Sequence, residues 1–213
     1  MTLKIKVCGM RDPSNIRELV KLNADYIGFI FYPRSKRYIG THIPSEILSI
    51  IPATIQKIGV FVDEPIDSLI KIVRDNKLDI VQLHGDEFPD YCEKLNTLNI
   101  PLIKAFSISP DFDFEAVRLY DDVCQYFLFD TASLLRGGTG LKFDWQKLSE
   151  YNGNKPFFLS GGIRPEDAES INGIKHTALF SVDVNSGFEI EPGIKDITKL
   201  RSFMDGLQVE EGF

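Results

Sequence analysis

The stretch QKIGVFVDEPIDSLIKIV, Gln56 to Val73, decides the fold. It opens on a short β-branched run, Gln56–Asp63, of strand length. It breaks at Glu64-Pro65, then places Leu69, Ile72 and Val73 at helical spacing. Proline in a first helical turn forfeits no hydrogen bond, because the N–H it lacks has no partner within the helix. A strand, a turn and an amphipathic helix in this order make half of a parallel crossover unit. The same pattern recurs along the chain. Comparable runs lie at Lys4–Cys8, Ala24–Phe31, Ile80–His84, Leu102–Ser107, Tyr126–Thr131, Pro156–Ser160 and Phe180–Val184. Asp12-Pro13 precedes Ile16, Leu19 and Val20, and Arg164-Pro165 precedes Ala168 and Ile171, so the helix start repeats as well. Eight candidate strands in 213 residues leave about 27 residues per unit, lean but sufficient for an α/β fold closed as a (β/α)8 (TIM) barrel. A doubly wound open sheet is the second fold compatible with the pattern. With no composition break or low-complexity tract, residues 1–213 read as a single domain.

Composition sets the class. The chain is 43% hydrophobic and 26% charged, as soluble globular proteins are. At this length folding buries about 70% of the chain's surface, so no disulfide is needed to hold a core. Cys8, Cys92 and Cys124 are odd in number and lack close pairing, which suits a reducing, cytoplasmic setting. No Cys/His cluster suggests a metal. The start, MTLKIKVCGM, has no apolar core of signal-peptide length, and no later stretch reaches the roughly 18 apolar residues of a membrane span. The net charge of −7 is spread without basic clusters, which argues against nucleic acid as partner.

In such a barrel chemistry belongs at the carboxyl ends of the strands. Cys8 ends the first strand, and Gly9 lets the chain turn sharply there. It reads either as a packing residue or as a thiolate base favoured by Lys6 on the same strand face. Asp130 closes the apolar run Tyr126–Phe129. It is either a cap for the next loop or a partly desolvated carboxyl with a raised pKa that serves as general acid. Ser160-Gly161-Gly162 after strand seven and Asn185-Ser186-Gly187 after strand eight occupy the usual barrel phosphate position, where bare N–H groups hold an anion. Arg136-Gly137-Gly138-Thr139-Gly140 after strand six reads as a lid or a plain surface loop. Tyr32 to Tyr38 gathers three cations. Arg37 among them can form a bidentate pair with a substrate carboxylate, unless the loop is simply solvated. His84 alone is read as a hydrogen-bonded structural group, with His42 and His176 elsewhere. Lys104 is read as neutralised by a carboxylate rather than as a Schiff-base lysine. Parity also places Lys6 and Asp183 together inside the barrel, as an ion pair.

The motifs Lys6-Val7-Cys8-Gly9, Gly28-Phe29-Ile30-Phe31, Ser35-Lys36-Arg37-Tyr38, Gly59-Val60-Phe61-Val62, Gln82-Leu83-His84-Gly85-Asp86-Glu87, Gly137-Gly138-Thr139-Gly140 and Val182-Asp183-Val184-Asn185-Ser186-Gly187 occur in one order from Lys4 to about Phe203. Together they resemble the phosphoribosylanthranilate isomerase family. The resemblance implies a cofactor-free isomerase of tryptophan biosynthesis on a (β/α)8 barrel, converting N-(5-phosphoribosyl)anthranilate into 1-(2-carboxyphenylamino)-1-deoxyribulose 5-phosphate. It implies Cys8 as general base, Asp130 as general acid and Arg37 as the carboxylate-binding residue. Gly161, Gly162, Asp183, Ser186 and Gly187 complete the substrate site, with no metal. The partner is a phosphorylated aminosugar, and the chain is read as a monomer or homodimer. Two positions depart from the pattern: Asn185 stands where the motif usually has serine, and Ser35-Lys36-Arg37 replaces Ser-Pro-Arg. Three rivals stay open. A sugar-phosphate epimerase would want several strand-end histidines, an aldolase would use Lys104, and a non-catalytic barrel would bind a phosphate ligand without turnover.

Overall fold

Eight parallel strands close on themselves in chain order: β1 Lys4–Cys8, β2 Tyr26–Ile30, β3 Gln56–Phe61, β4 Ile80–Leu83, β5 Leu102–Ile108, β6 Tyr126–Thr131, β7 Phe157–Leu159 and β8 Leu179–Val184. The computed structural model describes residues 3–96, 99–132 and 142–207. Closure is direct: β1 pairs with β8, Lys6 opposite Asp183, which excludes the open doubly wound sheet. Each expected strand is present, with ends shifted by a few residues at most.

The helices follow the caps that the sequence offers. Helix α1, Pro13–Leu19, starts where Asp12 accepts the N–H of Asn15 at 2.7 Å, with Pro13 in the first turn. Next come α2 Ser45–Ile50, α3 Ile66–Asn76 and α4 Pro89–Asn96. Pro65 precedes α3 as its cap position, and Leu69 and Ile72 turn inward as their spacing requires. After β5 and β6 the expected helices are replaced by 3-10 segments, Phe114–Tyr120 and Trp145–Glu150, each capped by an aspartate, Asp113 and Asp144. After β7 a 3-10 turn, Pro165–Asp167, leads into α5 Ala168–Asn172, and α6 Ile197–Leu207 follows β8. A short antiparallel hairpin, β9 Glu189–Glu191 and β10 Ile194–Lys195, precedes α6 and was not expected.

Strand alternation makes two separate apolar regions. Outward side chains such as Val7, Ile27, Phe29, Phe61, Phe129 and Val182 pack under the helices. Inward ones, Tyr26, Ile58, Ile80, Ile103, Ala105, Leu128 and Phe158, fill the barrel as an apolar plug. Two residues further along the same faces the plug gives way to polar side chains: Ile80 is followed by Gln82 and His84, and Leu128 by Asp130. The polar layer sits on this plug at the carboxyl ends of the strands, where the sequence reading put the chemistry. Among the described residues no helix is long and apolar enough to cross a membrane.

Candidate active site

Cys8, at the end of β1, is buried, and glycines make its room. Gly28 is its register partner on β2, and a Cβ there would stand 2.8 Å from the Cys8 sulfur. Gly9 turns at φ +75°, and a Cβ on it would stand 2.6 Å from Cδ of Arg37 and 2.9 Å from Oδ1 of Asn185. The left-handed turn and the close approach both require glycine. The stem of Arg37 therefore crosses directly over the turn that follows the thiol.

Lys6, wholly buried, donates to Oδ2 of Asp183 and to Oε1 of Gln82, both at 2.7 Å. Burial alone would lower its ammonium, but the charges of Asp183 and Cys8 outweigh it and hold Lys6 above its usual value. The expected Lys6–Asp183 pair is present. Its expected effect on Cys8 is not: burial pushes the thiol up, and the opposing pull of Lys6 does not cancel it. The resting group is thus a thiol rather than a thiolate. Oδ1 of Asp183 is buried with no hydrogen-bond partner among the described residues.

Across the mouth, Asp130 lies near the end of β6. Its Oδ1 accepts the Thr131 N–H at 2.8 Å, and its Oδ2 lies 3.2 Å from Nε2 of His84. The amide of Gln82 meets Nδ1 of His84 at 2.8 Å. The proton positions follow by elimination. An ammonium only donates, so Oε1 of Gln82 faces Lys6 and its NH2 faces His84; Nδ1 must then accept, and the neutral imidazole carries its proton on Nε2, toward Asp130. His84 is the hydrogen-bonded group that was expected, and its bond reaches the candidate acid. The surroundings of Asp130 mix apolar and polar groups. A cavity of about 340 Å³ beside it is lined by Phe106, Tyr120 and Ala105, and also by His84, Ser107 and Thr131. Lys104 is neutralised as expected, 2.9 Å from Glu87 and 2.7 Å from the Gly85 carbonyl.

The glycine turns after β7 and β8 meet each other and the acid. Gly161 and Gly162 have φ of +94° and +64°. A Cβ on Gly161 would strike Thr131 and come within 2.7 Å of Oδ1 of Asp130, and one on Gly187 would overlap the Ile163 carbonyl. The N–H groups of Gly161 and Gly162 donate to no described residue. Ser186 and Gly187 open a 3-10 turn, where N–H groups lack partners within the turn. The glycine stretch at 136–140 lies outside the described residues.

Arg37 differs from its expected state, because its guanidinium is already paired. Nε and Nη2 donate to the two oxygens of Glu189 at 2.7 and 2.5 Å. Glu189 also accepts from Lys195 at 2.8 Å and from the Gly193 N–H at 3.0 Å, and Lys195 donates to Oδ1 of Asn185 at 2.7 Å. Although burial works against it, Glu189 is held down at about 2 by these donors, Arg37 first. Gln82, Glu189 and Lys195 had no role in the sequence reading. The one available signal was the Pro192-Gly193 turn flanked by two short runs, a hairpin signature. Among the described residues no group of three or more His, Cys, Asp or Glu could hold a metal ion.

Comparison with known proteins identifies the family of the chain. A family model described as N-(5'phosphoribosyl)anthranilate (PRA) isomerase matches residues 5–206. An N-(5'-phosphoribosyl)anthranilate isomerase of Parabacteroides distasonis is 49% identical over 202 residues, covering 94% of this chain and 91% of its own. Among solved structures, a phosphoribosyl anthranilate isomerase in complex with reduced 1-(o-carboxyphenylamino)-1-deoxyribulose 5-phosphate superposes with a TM-score of 0.82. It is 31% identical, with 97% of this chain and 98% of that one covered. A structure of monomers generated from the dimeric enzyme of Thermotoga maritima has a TM-score of 0.80 at 31% identity and the same coverage.

Proposed function

The chain belongs to the N-(5'-phosphoribosyl)anthranilate isomerase family, and from that membership we propose that Cys8 and Asp130 divide the acid–base work of its reaction. The protein is an aldose–ketose isomerase of tryptophan biosynthesis, an intramolecular oxidoreductase. It carries out the Amadori rearrangement of N-(5-phosphoribosyl)anthranilate to 1-(2-carboxyphenylamino)-1-deoxyribulose 5-phosphate. In that rearrangement C2 of the sugar is oxidised from alcohol to ketone while C1 is reduced, so electrons stay within the substrate.

Asp130 gives its proton to the ribose ring oxygen, the C1–O bond breaks, and the nitrogen lone pair closes an iminium. Cys8, as thiolate, takes the proton from C2; the electron pair moves to the iminium, and the resulting enolamine tautomerises to the ketone. What supports this assignment is that the two groups lie at the carboxyl ends of β1 and β6, three strands apart in the closed barrel, with the polar chain Lys6–Gln82–His84 leading from the strand of one to the carboxylate of the other. When Asp130 has given up its proton, the N–H of His84 is in place to bond the carboxylate that remains. Gly161, Gly162, Ser186 and Gly187 offer N–H groups to the phosphate, Arg37 holds the anthranilate carboxylate with its remaining N–H donors, and Oδ1 of Asp183 accepts from a substrate hydroxyl or amine. One chain carries every residue named here, and we read it as a monomer or a homodimer. We read residues 1–213 as one domain, working in the cytoplasm.

The test is kinetic. Cys8→Ser should lose several orders of magnitude in kcat, because a hydroxyl is a far poorer base than a thiolate. Asp130→Asn should lose a similar factor, because an amide cannot supply the proton. Both should still bind product tightly. Near wild-type kcat in either variant removes that residue from its role.

A further inference from the structure

We propose that Glu189, backed by Lys195, is a positioning residue that orients Arg37 and thereby makes the site selective for an aryl group bearing a carboxylate. This rests on the reading of Arg37 as the carboxylate-binding residue and adds how that residue is aimed. A guanidinium has five N–H donors in two usable edges. Glu189 takes the side edge, Nε and Nη2, at 2.7 and 2.5 Å, and leaves the end edge, Nη1 with the second hydrogen of Nη2, for a ligand. Among the described residues Nη1 donates to nothing, and the Arg37 stem lies across the Gly9 turn beside Cys8.

Glu189 is itself fixed. Lys195, wholly buried, bonds it at 2.8 Å and Asn185 at 2.7 Å, and the Gly193 N–H adds a third donor. The hairpin of β9 and β10 holds Glu189 and Lys195 on adjacent strands in register. Glu189 lies between two cations, Arg37 and Lys195, and a substrate carboxylate would bring a second anion to them. Without Glu189, the two cations would repel one another and Arg37 would lose the bonds that set its plane. Since a misplacement of about 1 Å can cost about a hundredfold in rate, an Arg37 that still binds but is badly aimed lowers kcat more than it weakens binding. Asn185, the position that departs from the family motif, has its place here as an acceptor for Lys195.

The experiment compares N-(5-phosphoribosyl)anthranilate with N-(5-phosphoribosyl)aniline, which lacks the carboxylate, in the Glu189→Gln, Glu189→Asp and Arg37→Ala variants. Glu189→Gln should lower kcat/KM for the carboxylated substrate at least tenfold, mostly in kcat, and leave the aniline substrate within about twofold. Glu189→Asp, which keeps the charge, should recover part of the loss. Equal losses on both substrates, or no loss on either, overturn the proposal. Arg37→Ala tests the underlying reading separately: if it too affects both substrates equally, Arg37 does not bind the carboxylate. If it penalises only the carboxylated substrate while Glu189→Gln does not, the orienting role alone fails. Should Glu189→Gln fold poorly, Lys195→Met offers the same comparison, and partial loss confined to the carboxylated substrate is again the expected result.

Discussion

Cys8 illustrates how one side chain's surroundings set its chemistry. A free thiol ionises near pH 8.5, and burial in this site raises that value although an ammonium stands two residues away. In the role proposed for Cys8, the thiolate is then a small population, but each one is a stronger base. The thiolate absorbance that disappears in Cys8→Ala should titrate above about pH 8.5, and the alkaline limb of kcat/KM should be displaced in the same direction. Titration below that value would mean that Lys6 dominates after all. The sign for stability follows: the folded state keeps the Cys8 proton longer than the unfolded chain, so stability declines as pH rises beyond about 8.5. The positions of Cys8 and Asp130, at the end of β1 and next to the end of β6, were legible in the sequence because each follows a short apolar run of strand length. The direction of the thiol's shift was not, because it is the balance of full burial against a charge, and burial belongs to the packed molecule.

At the scale of elements, two glycine turns touch, and their junction is the phosphate site proposed above. Gly187 has no room for a side chain because the Ile163 carbonyl occupies it. In Gly187→Ala the turn after β8 must move away from that after β7, spreading the N–H groups meant for one phosphate. KM should rise about tenfold or more with a smaller change in kcat, the pattern of lost ground-state binding. Unchanged KM in steady-state kinetics would place the phosphate elsewhere. The elements themselves differed in legibility. β-Branched runs bounded by Pro and Gly disclosed all eight strands, since strands buried on both faces are nearly continuous in apolar residues. Phe114–Tyr120 and Trp145–Glu150, after β5 and β6, are capped at Asp113 and Asp144, but each continues for only six or seven residues, as 3-10 rather than the α-helix a (β/α)8 repeat calls for. The partnership of Arg37 with Glu189 spans 152 positions, and no local pattern reports a contact of that range.

For the whole molecule, the buried Lys6–Asp183 pair is a liability as well as a fixture. Removing one partner leaves the other charged and uncompensated, at a cost of about 3–5 kcal/mol, whereas replacing both with apolar groups of similar size is often close to neutral. Lys6→Met should therefore unfold at clearly lower urea, and Lys6→Met with Asp183→Leu should recover much of the loss while remaining inactive. A Lys6→Met protein as stable as the original would show that the pair contributes nothing to holding the barrel. The closed sheet also sets an order of events. Lys6 and Asp183 are 177 positions apart, and β1 meets β8 only when nearly the whole chain exists. On the ribosome the first strand emerges with a lysine whose counterion has not been made and a cysteine whose neighbours are still unread message. Every earlier strand can find its partner as it appears, but the seam cannot close before translation is nearly done, and the catalytic mouth is completed last of all.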